Sequence, residues 1–210
     1  MKPYYTIIIP YHQPTVTDEE LEKCLQSIKN QQCKDYEVLI YNDGKLEKEP
    51  SKEIKKLLRE LNTEIIETEH EGVWGHNNRN RGLQEAKGKY IIHLNSDNTL
   101  YNRLLELKAI IEQRREEVFV VPIIMNGVDR VGEGINTALI PVNYPSRVLM
   151  LGYPKLNYID ALQLVTTKEV WGSVGGWSDY SYDSDGKLYE RICEENDWYH
   201  VKNIILGEHN

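Results

Sequence analysis

Residues 76–98, HNNRNRGLQEAKGKYIIHLNSDN, carry a complete structural unit in one short stretch. His76–Lys87 suits a helix, and Gly88 stands where a C′ glycine would close it. Lys89–Leu94 is β-branched and aromatic and too short for a helix, so it is expected to be a buried strand. The polar cluster Asn95-Ser-Asp-Asn98 then ends it. The same alternation continues toward the N-terminus. Tyr5-Thr-Ile-Ile-Ile9 is a strand stopped by Pro10. Thr17-Asp-Glu-Glu20 is a capping box ahead of Leu21, Cys24, Leu25 and Ile28 on one helical face. Tyr36–Tyr41 is a strand closed by Asn42-Asp-Gly44. Ile54, Leu57, Leu58 and Leu61 mark a helix, and Thr63–Thr68 a third short strand. Toward the C-terminus a helix is expected over about Tyr101–Arg114 and a strand over Val118–Met125. Strand–helix alternation over the first 125 residues predicts an α/β fold with a mostly parallel sheet and right-handed crossovers.

Beyond Asn126 the pattern loosens. Gly127, Gly132, Gly134, Pro141, Pro145, Gly152 and Pro154 predict loops laid over the sheet. Order returns with Ala161–Thr166, a helix over about Asp185–Glu195 and a last strand, Val201–Leu206. One domain over residues 1–210 is expected. The 210 residues suffice for a closed core, and 40% apolar against 28% charged residues is ordinary for a soluble globular protein. No apolar run approaches the roughly 20 residues of a membrane span. With no secretory signal visible and three cysteines that cannot all pair, a reducing, cytoplasmic setting is expected (the host cytoplasm for a viral protein). A net charge of −8 argues against broad nucleic-acid binding.

In parallel α/β sheets, ligands gather beyond the carboxyl ends of the strands. Three strands here end in polar clusters: Tyr11-His12, Asn42-Asp43-Gly44 and Asn95-Ser96-Asp97-Asn98. Any one cluster is explained by turn formation. Three that converge on one crevice point to a site.

The stretches Ile7-Ile-Ile-Pro-Tyr11, Asp35–Gly44, Asn78–Tyr90 and Ile91–Asn98, followed by Val174-Gly-Gly-Trp177 and Ser184-Asp185, resemble family 2 glycosyltransferases of the GT-A fold. That resemblance implies transfer of a sugar from a nucleotide-diphosphate donor, often with Mn²⁺ and usually with inversion. It divides the chain into a nucleotide-sugar half, 1–125, and an acceptor and catalytic half, 126–210. It implies that Asp43 receives the uracil or ribose of a UDP-sugar, that Pro10 and Tyr11 line the base pocket with Tyr11 stacking on the ring, and that Arg79 meets the diphosphate. A surface ion pair is the plainer reading of Arg79.

Asn95-Ser96-Asp97 occupies the family's D-x-D position with its first carboxylate replaced by an amide. Asp97 keeps the position that binds Mn²⁺, or alternatively Mg²⁺. Asn95 and Ser96 remain as neutral donor contacts, so a weakened metal site is expected. His209, after the last expected strand, matches a second metal ligand; a frayed tail is its plainer reading. Asp185 matches the catalytic base that takes the acceptor hydroxyl proton, with Asp183 as a substitute and helix capping as its structural alternative. Trp177 is expected as a wall for the acceptor, and Asp160, with Gln163, as a sugar contact. The acceptor is expected to be a carbohydrate or another hydroxyl compound, and oligomeric state is left open. The residues at about 127–154 would shape acceptor choice. Three rival readings stand beside this one: a degenerate UDP-binding module, a nucleotidyltransferase, and a glycosyltransferase acting on DNA bases.

Overall fold

The computed structural model describes residues 2–126, 147–150, 152, 159–181 and 184–210. The chain runs β1 (Tyr5–Tyr11), α1 (Asp18–Lys29), β2 (Tyr36–Asn42), α2 (Lys52–Glu60), β3 (Ile65–Glu67), α3 (His76–Glu85), β4 (Tyr90–His93), β5 (Thr99–Leu100) and α4 (Leu104–Ile111). It continues with β6 (Val118–Val120), β7 (Ile123–Asn126), β8 (Arg147–Met150), β9 (Leu164–Thr167), α5 (Lys168–Ser173), α6 (Ser184–Glu195), β10 (Trp198–His200) and β11 (Gly207–His209). The main sheet has the order β10-β6-β9-β4-β1-β2-β3, and a second sheet the order β5-β11-β7-β8. In the main sheet β3, β2, β1 and β4 are parallel, as expected from the alternation, and β9 alone runs antiparallel to its neighbours β4 and β6.

Period-two alternation in β1 divides the core between the two faces of the main sheet. Tyr5, Ile7, Ile9 and Tyr11 pack with Leu21, Cys24, Leu25 and Ile28 of α1, Ile54 and Leu57 of α2, and Leu104 and Leu107 of α4. Ile8 faces the other way, with Leu83 of α3, Trp171 of α5, Trp177, and Leu188, Tyr189 and Ile192 of α6. The capping box at Thr17 forms as expected, with the Thr17 hydroxyl accepting from the Glu20 amide and Glu20 reaching back. Gly82 lies inside α3 at a position where glycine costs helix stability. A Cβ there would stand 2.6 Å from Ile8 Cγ2. Glycine therefore lets α3 lie directly on β1, which brings the start of α3 to the strand ends.

Several boundaries differ from expectation. Helix α3 ends at Glu85 with Ala86 as its cap, so Gly88 is not a C′ glycine. It is instead a close-approach position: its N–H donates to Thr6 Oγ1 at 2.9 Å, and a Cβ would lie 2.5 Å from the Thr6 nitrogen. The run Val118–Met125 is two strands in two sheets, broken at Val121-Pro122, where Pro122 has no N–H for a ladder. Val201–Leu206 is not a strand. Val201, Ile204 and Leu206 are buried as loop side chains between β10 and β11. The helix expected from Tyr101 begins at Leu104, because Thr99–Leu100 is taken up pairing with β11.

Candidate active site

One polar cluster lies beyond β1, β2 and β3. Asp43 follows β2, and its carboxylate accepts the backbone N–H groups of Glu71 at 2.8 Å and Gly72 at 3.1 Å, with His70 Nδ1 at 3.2 Å. The rings of His12 and His70 stack at 5.4 Å and 20°. His12, Asp43 and His70 place one ligand atom each within 4.8 Å of one another, the grouping of three that could hold a metal among the described residues. Tyr11 turns the other way: it is 3% exposed and packs into the core beneath the sheet, so it cannot stack on a base. Strand alternation places Pro10, not Tyr11, on the face toward α3, and Gly75 in the left-handed region brings the chain past it. A Cβ on Gly75 would lie 2.6 Å from Pro10 Cβ.

The first turns of α3 carry the buried cation. Arg79 is 6% exposed. It donates from Nη1 to the Trp74 carbonyl at 2.7 Å and from Nη2 to Asn95 Oδ1 at 2.6 Å. Its guanidinium lies 4.8 Å from the Trp177 ring centroid. Nε has no hydrogen-bond partner among the described residues, and no described carboxylate forms an ion pair with Arg79. Burial lowers its pKa, while the acidic groups of Tyr189, Asp185 and Asp160 nearby favour the cation. The surface ion pair is therefore not what Arg79 makes: α3 turns it inward.

At the end of β4, Asn95 and Asp97 are half-buried, and Ser96 and Asn98 are buried. Burial raises the pKa of Asp97, opposed by its own backbone hydrogen bond and by His209. His209 is not a tail residue. It lies in β11, between β5 and β7, with Nδ1 3.1 Å from Asp160 Oδ2 and 3.4 Å from the Asn98 amide. Burial works against the ionised Asp160, yet the hydrogen bond and charge of His209 hold its pKa below the usual value. Burial also works against protonated His209, and Asp160, Asp97 and Asp185 together raise its pKa. Asp160 also caps the short turn Ala161–Gln163, accepting from the Leu162 amide at 2.9 Å.

Asp185 lies in the first turn of α6, its Oδ1 accepting from the Gly186 amide at 2.8 Å. Burial and the charge of Asp160 push its pKa up to about 6, against the Gly186 hydrogen bond and Arg79. The preceding Ser184 Oγ lies 2.9 Å from His76 Nε2 and so joins the starts of α6 and α3. Burial lowers the His76 pKa to about 4, so the ring is neutral at neutral pH. Trp177 is 2% exposed and is a core residue, not an open wall: it stacks between Trp171 and His76, and its Nε1 donates to His93 Nε2 at 3.3 Å. Asp183 and residues 127–146 and 153–158, expected to substitute as base or to shape acceptor choice, lie outside the described residues.

The family model for Glycosyl transferase family 2 matches residues 6–168. The chain belongs to glycosyl transferase family 2. It is 32% identical over 112 residues to glycosyltransferase GlyA of Streptococcus pneumoniae serotype 4, covering 50% of this chain and 15% of that protein. TarS of S. aureus superposes with a TM-score of 0.70 at 15% identity, over 98% of this chain and 60% of the TarS chain. TarS has also been solved with UDP and with UDP-GlcNAc. Mannosyltransferase PcManGT from Pyrobaculum calidifontis, in complex with GDP-Man and Mn²⁺, superposes with a TM-score of 0.66 at 16% identity, over 100% of this chain and 57% of that one. These likenesses carry the GT-A fold. The chain spans less than two thirds of each of these relatives, and only 15% of GlyA.

Within this family 2 chain, sequence reasoning missed His70, His76 and His93. None stands at metal-ligand spacing, and each gains its setting from a distant residue: Asp43, Ser184 and Trp177 respectively. A weak signal was available for His76, the first residue of a helix with polar residues through its first turn.

Proposed function

We propose that this chain transfers a glycosyl group from a UDP-sugar to an acceptor hydroxyl with inversion, assisted by a divalent cation. The observation that carries this reading is Arg79, a buried guanidinium without a described carboxylate partner, held beside the D-x-D position. A buried unpaired cation is costly, and a diphosphate arriving between Arg79 and Asp97 would supply the missing charge. Asn95 gains a physical role here. As an amide it accepts from Arg79 through its carbonyl, whereas a carboxylate would neutralise the guanidinium. The lost acid at the first D-x-D position thus preserves positive charge for the phosphates, which favours an active enzyme over the degenerate module.

The residues present also fit a cation. A metal-binding histidine commonly directs its second nitrogen to a carboxylate, which fixes tautomer and orientation. His209 meets Asp160 through Nδ1, and the neutral ring that donates from Nδ1 would leave Nε2 as the lone-pair nitrogen. Asp97 and His209 would hold Mn²⁺ or Mg²⁺, which when bound neutralises charge on the departing diphosphate. Asp43 would accept from the uracil or ribose, with Pro10, His12 and His70 about the base and Ser96 near the β4 end. The acceptor oxygen bonds to the anomeric carbon and its proton passes to Asp185. The anomeric bond to the β-phosphate oxygen breaks, and its electron pair leaves with UDP. A pKa of about 6 suits a base that is ionised at neutral pH.

Nucleotide release from UDP-glucose, UDP-galactose, UDP-GlcNAc and GDP-mannose, assayed with Mn²⁺ and with chelator, tests the reading. Release from a UDP-sugar that needs the cation is the expected result. Release from GDP-mannose alone would change the donor, and tight UDP binding without release from any donor would favour the degenerate module.

A further inference from the structure

Four aromatic rings form a column from the core to solvent. Trp171 and Trp177 stack at 5.8 Å and 19°, Trp177 and His76 at 5.0 Å and 18°, and His76 and Tyr180 at 6.2 Å and 28°. The inner three are buried, and Tyr180 is 50% exposed. Its hydroxyl donates to Asn77 Oδ1 at 3.1 Å, so the ring is held at its far end as well as along one face. Such a ring has little rotamer freedom left to lose on binding. The column is also tied to the reacting carboxylate, because His76 meets Ser184 at 2.9 Å and Ser184 directly precedes Asp185.

We propose that the outer face of Tyr180 is the acceptor platform and that the acceptor is a saccharide. This rests on the transferase reading above and specifies its acceptor. A sugar ring presents an apolar C–H face bounded by hydroxyls. The Tyr180 face matches the first, and the Asn77 amide and the Asp179 carboxylate beside it match the second. The other large apolar side chain exposed near this place, Trp74 at 62%, immediately precedes Gly75 and α3. It occupies left-handed backbone, φ 53°, an uncommon conformation for a bulky residue and one of the strained kinds that cluster at functional sites. Trp74 and Tyr180 thus stand on segments that converge at the start of α3. A lipid acceptor would call for a continuous apolar groove, whereas the exposed Tyr180 ring has the Asn77 amide at its hydroxyl and Asp179 as its chain neighbour, a mixed surface that suits a sugar ring better.

The test is nucleotide release from the donor panel above, with the methyl glycosides of glucose, galactose, mannose and N-acetylglucosamine as acceptors, and with glycerol and a serine-containing peptide as non-saccharide alternatives. At least one glycoside should accelerate release. Tyr180→Ala should then raise the KM for that glycoside about tenfold, the loss expected for one aromatic stacking contact. Tyr180→Phe, which keeps the ring, should stay close to wild type, and the control Leu105→Ala on α4 should not change that KM. Donor release that no glycoside accelerates would overturn the platform and leave the transferase reading standing. A Tyr180→Ala enzyme with unchanged glycoside KM, or a Tyr180→Phe enzyme as impaired as Tyr180→Ala, would also overturn it. No release from any donor with any acceptor would overturn both readings together.

Discussion

At the β2–β3 edge, Asp43 takes two backbone N–H bonds while the rings of His12 and His70 lie partly in solvent beside it. At the end of β4, by contrast, Arg79, His76 and His93 are sealed beside Trp177, and Asp160 is tied to His209. The first region is made of strand-end and loop residues whose neighbours are mainly backbone. The second is made of side chains from α3, β4 and β11 and from the segments before β9 and α6, most of them meeting a polar atom from another part of the chain. Charges at the open end are cheap to keep because water screens them. Titratable groups at the closed end carry perturbed pKa values, because burial there opposes every charged form.

Asp185 should give the largest separation between the two regions. Asp185→Asn is expected to cut transfer by about 10²–10⁴-fold while leaving nucleotide binding intact, as for loss of a general base. The same substitution should stabilise the fold. A carboxyl whose pKa is raised from 3.8 to about 6 on folding destabilises the native state once ionised. The gain from Asn should be full above pH 6, at most about 3 kcal/mol, and should vanish below pH 3.8. Denaturant titrations in chelator at pH 7.5 and pH 3.5 measure it. In the wild type, transfer should fall as pH drops through about 6; a flat profile would remove Asp185 as the base.

Arg79→Met should weaken UDP binding about 10–100-fold, the range for charged hydrogen bonds, and leave uridine binding unchanged. Calorimetry with both ligands decides this, and equal losses would move Arg79 from the phosphates to a purely structural role. Asp43→Asn, at the open end, should weaken uridine and UDP equally, by about tenfold or less, with a stability change of about 1 kcal/mol. Asn95→Asp is expected to have the smallest effect, several-fold in opposite directions: tighter Mn²⁺ binding, and weaker UDP binding in chelator because the new carboxylate neutralises Arg79. Tighter UDP binding in chelator would contradict the role given to Asn95.

The open end was more legible than the closed one. β1, α1, β2 and the cluster Asn42-Asp43-Gly44 follow from local periodicity and turn chemistry, and the parallel pairing of the first four strands follows from the crossovers. Pro122 marks the break between Val118–Val120 and Ile123–Asn126, but only the long-range pairing of β7 with β11 and β8 assigns the second piece to another sheet. The antiparallel β9 was illegible for the same reason. His209 could be named from its resemblance but not placed, since the tail becomes a central strand through partners more than 100 positions away, such as Asn98. Removing residues 208–210 would therefore break the second sheet as well as any ligand, and His209→Ala is the cleaner probe. Tyr11 and Trp177 went the other way. An aromatic beside a site motif reads as a surface for ligands, but alternation in β1 and the column beside Arg79 bury both.

The most direct test of the account is calorimetric titration of UDP into wild type and Asp97→Ala, each with Mn²⁺ and with chelator. Mn²⁺ should tighten UDP binding in wild type and have no effect in Asp97→Ala. An equal Mn²⁺ enhancement in both proteins, or none in either, would contradict a donor and cation site at the end of β4.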